Sequence, residues 1–190
     1  MMKTKSTLSL KKSRIHLRNM VLAAFFLALA YVLPFLTGQI PEIGNMLCPM
    51  HIPVLLCGFI CGWPWGLAVG LIAPLFRSLT LSMPQLPTAI CMAIELAVYG
   101  TASGILYRLL PKRKISVYAA LLSAMLLGRL VWGCAMHVCM SILGNPFSFS
   151  LFLIEAFAKA VPGILLQILL IPVILMLLQR RKLLAYDRLN

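Results

Sequence analysis

Five ionisable side chains fall inside otherwise apolar stretches of this sequence: Arg77, Glu95, Arg129, Glu155 and Lys159. The plainest case is SAMLLGRLVWGCAMH, Ser123 to His137, inside an apolar run from Ile115 to Leu143 that holds no acid and one strong base, Arg129. A charge at bilayer depth costs about 2.5–3.5 kcal/mol even on the lenient insertion scale, and such residues generally face a bundle interior or a wet cavity. Three bases stand against two acids. Glu155 and Lys159, spaced i, i+4 in the favourable order, neutralise each other. Glu95 can neutralise Arg129 across a helix interface, which leaves one arginine without a protein partner in this region. In a cavity, the planar fork of an arginine donates two parallel hydrogen bonds and suits a carboxylate or phosphate.

The surroundings of these charges read as a pocket. Arg129, Trp132, Met136 and Met140 recur at steps of three and four, so one helix face carries a base, an aromatic ring and soft side chains, with His137 beside it. Met92, Glu95 and Tyr99 form a similar stripe. Such stripes are more often core than site; the charges within them favour a pocket. His51, in Pro49-Met50-His51-Ile52-Pro53, opens another apolar run, where a histidine is more often a packing or helix-end residue. Gln39, Asn45 and Asn145 add amides in the connecting loops. The candidate substrate-binding residues are therefore Arg77, Glu95, Arg129, Trp132, Lys159, His51, Asn145 and Tyr99.

Other chemistries lack their residues. The sequence contains no G-x-x-x-x-G-K-[ST] phosphate loop, no H-E-x-x-H and no G-x-S-x-G. All six cysteines lie in apolar runs and read as small hydrophobes rather than as a disulfide or metal set. No cofactor or metal is expected, and the chain does not read as an ATP-hydrolysing enzyme.

Elements that could position such a site follow from composition. Of the 190 residues 62% are hydrophobic and only 11% charged, with mean hydropathy +0.98; soluble domains carry about 45–50% apolar and about 25% charged residues. Apolar runs fall at 20–36, 46–61, 67–81, 86–106, 115–143 and 147–178. The expectation is an all-α polytopic membrane protein, six transmembrane helices in one bundle. The second and third runs are short, meeting at Gly62-Trp63-Pro64-Trp65-Gly66, and Pro162 is expected to kink the sixth. The formal charge of +13 concentrates before the first run, between the fourth and fifth, and after the sixth. That pattern places both termini in the cytoplasm and argues for topology rather than nucleic-acid binding. The first 30 residues also resemble a signal peptide, but the apolar run continues past the A-x-A site to Leu36, which favours a retained first span. The organisation is a basic cytoplasmic tail over 1–18, disordered through residue 13, a membrane domain over 19–180, and a second basic tail over 181–190.

Ala24-Phe25-Phe26-Leu27-Ala28 puts two alanines one turn apart on the first helix, a small-xxx-small pair that lets helices approach closely in lipid. Together with Pro49-Met50-His51-Ile52-Pro53-Val54-Leu55-Leu56, the Gly62–Gly66 turn and Pro87-Thr88-Ala89, it resembles the substrate-binding S components of energy-coupling factor (ECF) transporters over Asn19 to Leu178. The resemblance implies a membrane subunit that captures a vitamin or related micronutrient near the outer surface. Its pocket would be built from the fourth to sixth helices and the outer loops. It further implies that Ala24 and Ala28 dock a transmembrane coupling (T) subunit working with two cytoplasmic ATPases, and that the S component topples in the membrane to release its cargo. If Arg77 and Arg129 make the pocket positive, an anionic vitamin such as pantothenate is expected. A small membrane enzyme acting on a lipid-borne substrate and a ligand-free structural subunit are the alternatives.

Overall fold

The computed structural model describes residues 2–37, 46–111, 113–145 and 148–180, and among these every regular element is helical. The chain runs as α1 (Met2–Val32), a 3-10 turn (Leu33–Thr37), α2 (His51–Cys61), α3 (Trp63–Leu81), α4 (Leu86–Leu109), α5 (Lys114–Ile142), α6 (Phe149–Leu153), a π-helical turn (Ile154–Ala158) and α7 (Val161–Arg180). Five stretches are long and apolar enough to cross a membrane: Ser13–Leu36, Trp63–Leu81, Leu86–Leu109, Ile115–Ile142 and Val161–Leu178. Gln39, Asn45, Lys112 and the tail over 181–190 lie outside the described residues.

Three elements depart from the expectation. First, α1 begins at Met2, so the basic segment expected to be disordered is helical; no glycine or proline occurs before Pro34 to break it. Second, the run expected to be a span over 46–61 yields only the 11 residues of α2, because Cys48 takes a left-handed φ of 47° and Pro49 follows it. At about 1.5 Å per residue, α2 covers only about half of a 30 Å hydrocarbon core. All eleven of its residues are buried. Third, the sixth run is interrupted rather than kinked. The Lys159 N–H donates to the Ile154 carbonyl at 2.9 Å, closing a π turn, and Pro162 sits in the first turn of α7, where its missing N–H costs nothing.

Helices α2, α3 and α4 meet through glycines. Gly66 and Gly70 on α3 and Gly100 and Gly104 on α4 form two G-x-x-x-G pairs, and a Cβ on any of the four would strike the facing backbone. Gly58 of α2 meets the backbone of Gly100 in the same way. Such contacts replace bulky side chains with backbone van der Waals packing, the main attraction between helices in lipid. Two polar ties fasten α1 to this core. Asn19 Nδ2 donates to the Cys61 carbonyl at 3.1 Å, filling an acceptor at the end of α2. At the other end of α1, Arg77 Nη1 donates to the Tyr31 carbonyl at 3.0 Å, and its guanidinium lies 5.0 Å from the centre of the Phe35 ring. A cation at a helix C-terminus also meets the negative end of the helix dipole.

Candidate functional site

The site begins at the break before α2. With Cys48 in the left-handed region, the chain reverses, and the His51 N–H donates to the Cys48 carbonyl at 3.1 Å. This turn aims the Cys48 thiol and the His51 ring at α4 and α5. Arg129 of α5 is 7% exposed and reaches both neighbours: Nη1 lies 3.1 Å from Glu95 Oε1, and Nη2 donates to Cys48 Sγ at 3.3 Å. His51 Nε2 lies 3.4 Å from the same Glu95 oxygen. The Tyr99 ring, one turn along α4 from Glu95, meets the His51 ring edge-on with centroids 5.1 Å apart. Gly128 makes room for that ring, since a Cβ there would come within 2.9 Å of it.

His51, Glu95 and Tyr99 are each at most 2% exposed, and burial of this kind makes hydrogen bonding matter. Neither ring nitrogen of His51 nor Glu95 Oε1 has a well-aligned hydrogen-bond partner among the described residues. Leaving such a group unmade costs about 1–3 kcal/mol. The cluster thus combines a guanidinium, a carboxylate and an imidazole, offering donor and acceptor capacity side by side. Beside it lies a cleft of about 240 Å³, walled by Tyr99 and Arg129 and by apolar side chains that include Phe157 and Ile164. Trp132, one turn beyond Arg129, belongs to a separate cluster with Cys91, Met136 and Ala156, and stacks on Phe152 of α6 at 6.4 Å.

The structure brings together five of the eight expected residues or their neighbours: Glu95, Arg129, His51 and Tyr99 directly, and Trp132 on the adjoining turn of α5. Arg77 is elsewhere, holding the end of α1 as described. Lys159 pairs with Glu155 on an exposed surface. Asn145 is exposed in the turn after α5, its backbone N–H donating to the Met140 carbonyl. His137 is exposed. Two buried polar side chains were not singled out from sequence. Cys48 reads there as a small hydrophobe, whereas it accepts from Arg129. Gln167 on α7, 1% exposed with Oε1 lacking a hydrogen-bond partner among the described residues, is an amide inside an apolar run, a signal that was open to reading.

Ala24 and Ala28 lie on the exposed side of α1, in line with Met20 and Val32 at i, i+4 spacing, while Ala23, Phe26 and Ala30 turn into the core. The face described for helix docking is thus open in this chain.

No curated protein and no solved structure gives a significant match to the chain. The family model for the ECF transporter substrate-specific component matches residues 18–175, from the start of the apolar part of α1 nearly to the end of α7. That range holds the exposed alanine face, the glycine-packed core and the buried charged cluster. The chain is a multi-pass cell-membrane protein and belongs to the family of ECF transporter substrate-specific components.

Proposed function

We propose that this chain captures a small polar micronutrient at the Arg129–Glu95–His51 cluster and hands it to a T subunit and two cytoplasmic ATPases for uptake. The observation that carries the ligand reading is the buried cluster itself: charged and polar groups at 1–7% exposure, three of whose atoms lack aligned partners. The family supplies the transport role; it is that of a transport subunit rather than an enzyme. Arg129 would address a carboxylate or carbonyl oxygen of the ligand, while Glu95 and His51 take its hydroxyl or amide protons. Tyr99 supplies an aromatic wall, and Trp132 stands one turn beyond Arg129 on α5. Arg77 and Lys159 have partners of their own, and Asn145 sits in an exposed turn, so the proposal rests on the first five residues.

The ion pair between Arg129 and Glu95 changes the ligand expected. A net positive pocket would favour a bare anion; a paired one favours a molecule with acceptor and donors together. Pantothenate, with a carboxylate, an amide and hydroxyls, fits that description and is the first ligand to test. Folates, pyridoxine and a queuosine precursor are the comparators. Calorimetric titration of the purified chain should give one-to-one pantothenate binding without turnover. If a comparator binds and pantothenate does not, the cluster reads a different ligand; if turnover accompanies binding, the transport reading fails.

A further inference from the structure

On a different face, α3, α4 and α5 leave a groove of about 580 Å³ lined by side chains that include Leu67, Leu71, Val98, Ala102, Ile105 and Leu127. Thr101 also lines it, yet its Oγ1 donates back to the Ala97 carbonyl at 2.7 Å, so the hydroxyl is spent within the helix. The groove therefore presents no free polar group to a nutrient. On α3 the lining residues Leu67 and Leu71 continue at i−4 spacing to Trp63 beyond the groove; on α4 the lining residues Ile94, Val98, Thr101 and Ile105, at steps of four and three, continue one turn further to Arg108. Helices α3 and α4 are antiparallel neighbours, so Trp63 and Arg108 stand at the same end, where the Gly104 Cα faces the Trp63 backbone.

That end has the marks of a membrane–water boundary. Trp63 is 43% exposed, Arg108 and Arg113 are exposed, and tryptophan concentrates at the headgroup level. The whole sequence has four acids, Glu42, Glu95, Glu155 and Asp187. Of the two that are described, Glu95 is held by Arg129 and Glu155 by Lys159. No described carboxylate is left for Arg108 or Arg113. From Ile94 to Arg108 the stripe runs about 21 Å along α4, enough for the roughly 15 Å depth of one leaflet. We propose that this groove docks an acyl chain of an anionic phospholipid whose phosphate is held by Arg108 and Arg113. An arginine fork suits a phosphate oxygen pair, and the dry, shallow floor suits a hydrocarbon chain rather than a polar molecule.

The test is native mass spectrometry of the full chain, equilibrated in detergent with equal phosphatidylglycerol and phosphatidylcholine. Wild type should retain phosphatidylglycerol preferentially, and Arg108→Gln and Arg113→Gln should each lower that preference by about fivefold, the factor one basic side chain contributes at an anionic surface. Ala102→Phe, which fills the groove with both arginines intact, should remove the adduct, whereas Leu169→Phe on the exposed face of α7 should not. Gel filtration checks that each variant stays monodisperse, and Ile105→Trp serves as a second groove-filling change should Ala102→Phe misfold. Equal retention of the two lipids by wild type overturns the proposal. So does a phosphatidylglycerol adduct that survives groove filling. If filling the groove leaves lipid retention intact but abolishes assembly with the T subunit, the surface docks protein and the lipid assignment is wrong.

Discussion

Removing Arg129 alone would strand Glu95 as a buried carboxylate, and breaking one side of such a pair costs about 3–5 kcal/mol. Arg129→Met should therefore lower the thermal midpoint sharply, while Arg129→Met combined with Glu95→Gln should recover much of it. Ligand affinity separates the roles. Were Arg129 the anchor, pantothenate binding should fall by about 1.5–3 kcal/mol in both variants, the scale of a hydrogen bond to a charged group. A double variant that recovers both stability and binding would make the pair purely structural. His51→Phe keeps the ring volume against Tyr99 but removes both nitrogens, and should weaken binding with little loss of stability. Glu95 and Arg129 were legible in the sequence because a charge in an apolar run is costly and must be justified. Cys48 was not, because cysteine is as much at home in a core as valine, and only its left-handed backbone turns the thiol toward Arg129. Nor could sequence alone join His51 to Glu95, which is 44 positions away and reached only through the break before α2.

Helices in this bundle are held by what their glycines lack. Gly100 faces Gly66 and Gly58 at once, so Gly100→Leu must push three helices apart. Overpacking of a fitted interior costs about 1–3 kcal/mol. Here the obstruction is backbone, which cannot rotate away, so the expected result is loss of the monodisperse folded protein. Gly144→Ala, in a turn where an added Cβ would meet nothing within 4 Å, tests only the backbone, since its φ is 74°. It should lower the melting temperature slightly and leave binding unchanged. The two G-x-x-x-G pairs were open to reading, as spacing of four between glycines is visible in any sequence; which helices they join was not. Pro162 shows the opposite limit. A proline inside an apolar run signals an interruption, but whether it bends a helix or starts one depends on the preceding turn, here the π turn that brings Phe157 to the cleft wall.

At the scale of the whole molecule, the basic clusters and the alternation of loops lead us to propose both termini on the cytoplasmic side. Single cysteines at Gln85 and Asn145 should then label from outside in intact cells, and one at Lys112 only after permeabilisation; external labelling at Lys112 would invert the arrangement. The exposed alanine face of α1 makes a separate prediction. Ala24→Trp with Ala28→Trp should block close helix approach, abolishing co-purification with the T subunit and ATP-driven uptake while ligand binding persists. Loss of binding as well would mean the face supports the fold. Class and family were legible from the sequence, since hydropathy and clustered bases are summed over many residues and tolerate local error. The number of full-length spans was less so, because α2 matches a span in composition and fails only in length.

The short α2 also bears on how the chain is made. A segment of 11 helical residues cannot satisfy a bilayer on its own, and the burial of all eleven shows that its solvent in the finished protein is other helices. It is joined to α3 by a single residue, Gly62, whose φ of 95° permits an abrupt reversal. Biogenesis should therefore release α2 and α3 from the insertion machinery as one hairpin, with α2 shielded until α4 arrives to close over Gly58. In a cell-free insertion assay, a segment carrying α2 without α1 (residues 46–62 fused to a soluble reporter) should remain extractable by alkali, and one running from α2 through α4 should not.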